Sequence, residues 1–175
     1  MSASIYFAEM CRLFICLALV VASVSKVSTF TLFKDDLVTS FNIKAQYSGW
    51  VTVSIILTEG LLGIVILFNG PYTAYAMLAA LLLFSVFTLV LWISLLQNKL
   101  IRCNCFGQSK ENISYFDVSR NLLFILAGAY YLTCVGVQPL TTSNQMLLAA
   151  MATISFLIST HLTEIALINL DPKAN

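Results

Sequence analysis

Apolar residues gather in five blocks, at about 13–33, 49–68, 74–96, 115–137 and 145–168, separated by polar or turn-forming segments. A hydrocarbon core of ~30 Å takes about 20 mostly apolar residues in helical form, so each block predicts a transmembrane helix. Spans two and three meet at Asn69-Gly70-Pro71-Tyr72-Thr73, a turn dipeptide followed by a proline suited to starting a helix, which predicts a tight antiparallel hairpin. Ser114-Tyr115-Phe116-Asp117 and Thr142-Ser143-Asn144-Gln145 each place a hydroxyl three residues before an acid or amide, a capping pattern for the starts of spans four and five. The first block has a second interpretation. Arg12, the apolar stretch from Leu13 to Val21 and the small residues Ala22 and Ser23 resemble a cleavable signal peptide, whereas Glu9 and the apolar character resuming after Lys26 favour a span. Segment 34–48 sets Leu37, Phe41 and Ala45 at four-residue spacing among Lys34, Asp35, Asp36 and Lys44, which fits a short interfacial helix or a solvated loop.

Composition narrows the class. Of 175 residues, 59% are hydrophobic and 10% charged, and the mean hydropathy is +0.91, which excludes both a soluble globular domain and a disordered chain. Nine Lys and Arg against eight Asp and Glu give no basic field for nucleic acid. The fold class expected is all-α, an integral membrane helical bundle forming a single transmembrane domain over 1–175. With five spans in so short a chain, any chemistry must come from intramembrane side chains and short loops.

Five antiparallel spans put loops 34–48 and 97–114 and the C-terminus on one side, face B, and the N-terminus and the two turn loops on the other, face A. Counted from the face B ends of the spans, Lys26, Arg120 and His161 lie roughly 10 Å deep, Glu164 about 6 Å and Glu59 about 15 Å. Strongly polar residues within spans are thus expected only toward face B. Glu59 is too deep to reach the interface, and Lys26 and Arg120 are the candidates to neutralise it. His161 and Glu164 share one face of span five. This cluster of Lys26, Glu59, Arg120, His161 and Glu164 has two interpretations, an ion-pair staple for helix packing or a polar set that supports a reactive group or headgroup.

The five cysteines fall into two groups. Cys11, Cys16 and Cys134 lie in apolar helix toward face A and read as small buried hydrophobes, with Cys11 and Cys16 about 140° apart around the helix and unable to bridge. Cys103 and Cys105 lie in the polar connection Arg102-Cys103-Asn104-Cys105-Phe106-Gly107 on face B. Alternating thiols can close a small strained disulfide, of the labile kind that exchanges with a partner thiol, and Arg102 would favour the thiolate. A non-reactive loop, or half of a metal site, is the alternative. No further Cys or His lies in the loop to complete a four-ligand zinc pattern, so no metal is expected.

The Cys103-Asn104-Cys105-Phe106-Gly107 run, followed by Ser119-Arg120-Asn121-Leu122-Leu123 at the next span, resembles the C-x-C-F-G and R-N/D-x-L signature of the methylamine utilisation protein E family (MauE), related to DoxX-like membrane proteins. Lys26 and Glu59-Gly60-Leu61-Leu62-Gly63 match that family's other polar markers. The resemblance runs from Arg12 through span four. It implies a four-helix DoxX-like core plus a fifth transmembrane helix, and a role in thiol-disulfide redox chemistry during disulfide formation or maturation of exported proteins, beside a membrane-tethered thioredoxin-fold partner. Carried onto this chain, it nominates Cys103 and Cys105 as the redox pair and Lys26, Glu59 and Arg120 as supporting residues.

Vitamin K epoxide reductase-like enzymes relay electrons through a second cysteine pair on the same face, and here the other cysteines are nearly a membrane thickness away. A self-contained quinone-coupled relay is therefore not expected; a quinone is the candidate membrane acceptor, and the partner supplies the rest. The resemblance also implies a bacterial inner membrane with the cysteine loop outside. The charges oppose that orientation, because Lys34, Lys44, Lys99, Arg102, Lys110 and Lys173 lie on face B against Arg12 alone on face A. A non-enzymatic subunit that anchors or assembles a larger membrane complex is the alternative function, and a lipid or small-ligand carrier built on the Glu59 cluster a third.

Overall fold

A computed structural model describes residues 3–41, 43–96, 115–134 and 148–158. These form six helices: α1 (Ala3–Ser28), α2 (Phe30–Phe41), α3 (Ala45–Leu67), α4 (Thr73–Leu96), α5 (Tyr115–Thr133) and α6 (Leu148–Ile158). The protein is an all-α membrane bundle. Three helices are long and apolar enough to cross a bilayer: Ser4–Ser28, Ala45–Leu67 and Thr73–Leu96. The fourth block is helical over Tyr115–Thr133, and the fifth is described only over its short apolar stretch Leu148–Ile158. The two expected capping patterns, at Ser114 and at 142–145, fall on or begin at residues outside those described.

The largest departure from expectation is at the N-terminus. The first helix begins at Ala3, not near residue 13, and ends at Ser28, not at 33. Lys26-Val27-Ser28-Thr29 contains neither Gly nor Pro, but hydroxyls compete for the backbone there. Thr29 N–H and Oγ1 both donate to Ser25 O, at 3.0 and 2.9 Å, and Ser28 Oγ donates to Val24 O at 3.1 Å. Helix α1 gives way to α2 at Thr29, and these back-bonds accompany the break without being peculiar to it, since Thr52 and Thr88 make the same bond inside unbroken α3 and α4. Segment 34–48 is accordingly helical through Phe41, with Phe33 and Leu37 buried one turn apart and Lys34 and Asp35 among its polar residues.

The α3–α4 hairpin forms where the sequence placed it. Asn69 takes a left-handed backbone conformation, φ 47°, as an Asn-Gly turn allows, and Thr73 N–H donates to Gly70 O at 3.1 Å as α4 begins.

Helix α1 lies at the centre: 56% of its most apolar stretch is buried, against 22% for α3 and 28% for α4, whose remaining surfaces are apolar and suited to lipid. Ile15, Ala18 and Leu19 are fully enclosed, so α1 packs as part of the core. Phe14, Phe84, Phe124 and Phe156 bring α1, α4, α5 and α6 together, with Phe124 5.1–5.2 Å from Phe84 and Phe14 between ring centroids. Exposed aromatics mark the membrane boundaries. Tyr47, Trp50, Trp92 and Tyr115 stand toward face B, and Phe68, Tyr72 and Tyr75 toward face A. Along α3 and α4 these belts are about 26–27 Å apart, close to the ~30 Å of a hydrocarbon core.

Candidate functional site

Helices α1 and α3 pack antiparallel along one seam, and the buried positions of α3, Ser48, Thr52, Glu59, Gly63 and Ile66, fall on a near-heptad stripe. The α1 seam residues Arg12, Cys16, Ser23 and Lys26 recur every three to seven positions, and each meets a polar group on α3. Close approach rests on small residues. A Cβ at Gly63 would stand 2.9 Å from Val20 Cγ2, and one at Gly60 3.2 Å from Ser23 Oγ. Cys16 Sγ donates to Gly63 O at 3.3 Å, and Ser23 Oγ to Ile56 O at 3.1 Å.

Toward face B this seam holds an ion pair. Lys26 Nζ is 2.8 Å from both Oε1 and Oε2 of Glu59, with Lys26 1% and Glu59 2% exposed. Side chains on a helix lean toward its N-terminus, so Lys26 reaches down from the end of α1 while Glu59 reaches up α3, and they meet near the level of Ile56. That is about 9 Å beneath Trp50. The rings of Phe33 from α2 and Phe87 from α4 stand 5.5 and 5.4 Å from the ammonium, giving two cation–π contacts in a desolvated setting. Four helices therefore converge on one cation. Both carboxylate oxygens are already bound to Lys26, and the pair is sealed from solvent, so what this arrangement does is tie helices together. A ligand held by Glu59 would first have to displace Lys26.

Arg120 is not drawn to Glu59: among the described residues its carboxylate partner is Asp117, at 3.1 Å, one turn earlier on α5. The competition goes to Lys26 because α1 and α3 share the seam, whereas Asp117 is local to Arg120. Cys103, Cys105, His161 and Glu164 lie outside the described residues.

A second buried ion pair was not legible as such. Arg12, read from the sequence as a flanking charge, is 2% exposed, and Glu9 3%. Arg12 Nε and Nη2 meet Glu9 Oε2 at 2.8 Å, while Nη1 donates to Ile66 O at 2.6 Å and Leu67 O at 3.1 Å. These are the otherwise unsatisfied carbonyls at the C-terminal end of α3, where helix ends favour a cation. Buried charge is thus not confined to face B. The i,i+3 spacing of Glu9 and Arg12 was the available signal.

The remaining described cysteines lie away from the Lys26–Glu59 pair. Cys11 and Cys16 are buried free thiols, and Cys134 is a free thiol just past the end of α5. Cys11 borders an apolar cavity of about 310 Å³ between α1, α5 and α6, walled also by Phe7, Phe14, Leu126 and Tyr130. Among the described residues, no group of three or more His, Cys, Asp or Glu is placed to hold a metal.

The fold and seam define a class, a helical integral membrane protein organised around a caged ion pair. The family described as Methylamine utilisation protein MauE matches residues 4–134, about three quarters of the chain, and the protein belongs to that family. No curated protein and no solved structure matches the chain.

Proposed function

We propose that the protein is a membrane component of thiol-disulfide chemistry in which Cys103 and Cys105 exchange with a thioredoxin-fold partner during disulfide formation or maturation of exported proteins. The observation that carries this is positional. The ends between which the Cys-x-Cys segment is strung, Leu96 of α4 and Tyr115 of α5, belong to the same half of the bundle as the Lys26–Glu59 tie, and Cys11 and Cys134 to the other. The tie acts as a rigid platform that fixes the relative positions of α1, α3 and α4, the last of which leads into the Cys-x-Cys segment. In the exchange, a partner thiolate attacks the Cys103–Cys105 disulfide to form a mixed disulfide. The partner's second thiolate then resolves it, so the partner is oxidised to a disulfide and Cys103 and Cys105 are released as thiols.

A persistent disulfide requires the external side of a bacterial inner membrane. The charge bias opposes this placement, and burial of Arg12 with Glu9 removes the one face A charge that offset it. Cys103→Ser and Cys105→Ser variants are expected to abolish activity in a disulfide-maturation assay while leaving the protein in the membrane. Full activity in both would exclude exchange by this pair.

One observation favours the second interpretation, a membrane subunit that anchors or assembles a larger complex: the sealed, fully satisfied Lys26–Glu59 pair has the character of a packing element. Co-purification with a large assembly, undiminished in the cysteine variants, would select it.

A further inference from the structure

Near face B, α2 and α3 diverge around an open groove of about 380 Å³, lined by Phe30 and Lys34 of α2 and by Gln46, Gly49, Trp50 and Val53 of α3. Along α3 the wall passes from Val53 through Trp50 to Gln46 toward face B, apolar where it is deep and polar where it is shallow. Helix α2 adds one apolar side chain, Phe30, and one cation, Lys34, a turn apart. Among the described residues Lys34 is the groove's one charged lining residue; neither Asp35 nor Asp36 borders it. Lys34 makes no ion pair with any described residue, in contrast to the three paired cations Arg12, Lys26 and Arg120.

Trp50, 77% exposed, sets the depth: it belongs to the aromatic belt, where lipid headgroups meet the hydrocarbon core. We propose that this groove binds the phosphodiester headgroup of one anionic glycerophospholipid from the surrounding leaflet. Lys34 meets the phosphate, Gln46 and the Trp50 indole offer neutral donors, and the first acyl carbons descend along Phe30 and Val53. The amides opening α3 add to the positive field, since its N-cap residue Lys44 supplies no side-chain cap. A soluble anion would use the polar rim and leave the apolar depth unfilled. A diacyl lipid matches both halves, and the site does not depend on the cysteines or on any redox role.

The test is native mass spectrometry of the purified full-length protein from nanodiscs holding equal phosphatidylglycerol and phosphatidylcholine. One phosphatidylglycerol is expected to be retained about fivefold over phosphatidylcholine, with Lys34→Gln erasing the preference and Lys34→Arg keeping it. At Gly49 a new Cβ meets nothing within 4 Å, so Gly49→Leu fills the groove without touching the charge. It is expected to keep the thermal transition and lose both lipids. Millimolar inorganic phosphate should leave the bound lipid in place. Equal retention of the two lipids, unchanged preference in Lys34→Gln, continued binding in folded Gly49→Leu, or displacement by inorganic phosphate would each overturn the proposal. If Lys34→Gln does not fold, the wild-type preference and the other two variants decide.

Discussion

The two ends of the α1–α3 seam solve one problem differently. Toward face B a cation on α1 and an anion on α3 pair across the interface, enclosed by Phe33 and Phe87. Toward face A the pair lies within α1, and Glu9 holds Arg12 so that the guanidinium can reach the last carbonyls of α3. The first tie depends on two complementary charges, the second on one charge and a helix end. A buried ion pair can therefore bind helices directly, or it can orient one member toward backbone that the fold leaves unsatisfied. Arg suits the second task because its planar fork serves a carboxylate and two carbonyls together.

This contrast can be broken at each end. Lys26→Met leaves a buried carboxylate alone and should lower stability by ~3–5 kcal/mol in detergent unfolding, whereas Lys26→Met with Glu59→Met should recover most of the loss. If the double variant were no better than the single, the cost would lie in packing rather than in stranded charge. Arg12→Gln combined with Glu9→Gln, which strands no carboxylate, should cost less, about 2–3 kcal/mol, through the charged hydrogen bonds lost at Ile66 and Leu67, and Arg12→Lys alone should cost less again. Gly63→Ala, with its Cβ against Val20, tests the seam between the ties and should cost ~1–2 kcal/mol, relieved by Val20→Ala. Asp117→Asn, which weakens the local pair with the largely buried Arg120, should cost about 1 kcal/mol. A larger effect there would show that Arg120 has a role in packing beyond its own helix.

Where one physical signal dominated, the sequence was readable. Continuous apolarity delimited α3 and α4 to within a few residues, Asn69-Gly70 marked their turn, and the depth of Glu59 required a cation that Lys26 supplied. Glu9 and Arg12 misled because charges at the edge of an apolar run read as an interface, yet three residues apart on a helix they neutralise each other and can be buried. Moving the helix start to Ala3 follows from that pairing. The break at Thr29 carried no Gly or Pro, and the hydroxyl back-bonds beside it recur inside unbroken helices, so neither composition nor hydropathy marks it. That break is also what lets Phe33 belong to a separate helix and still cover Lys26. Arg120 and Lys26 were indistinguishable as partners for Glu59, since helix adjacency in a bundle is not encoded in hydropathy.

The redox claim rests on where Cys103 and Cys105 stand and whether they are joined. Labelling intact cells with a membrane-impermeant maleimide, in a Cys11→Ala, Cys16→Ala, Cys134→Ala background, reports both at once. The account predicts no labelling of untreated cells and two labels per chain after mild reduction. Labelling without reduction, or only after the cells are broken open, would contradict an external disulfide and with it the proposed exchange.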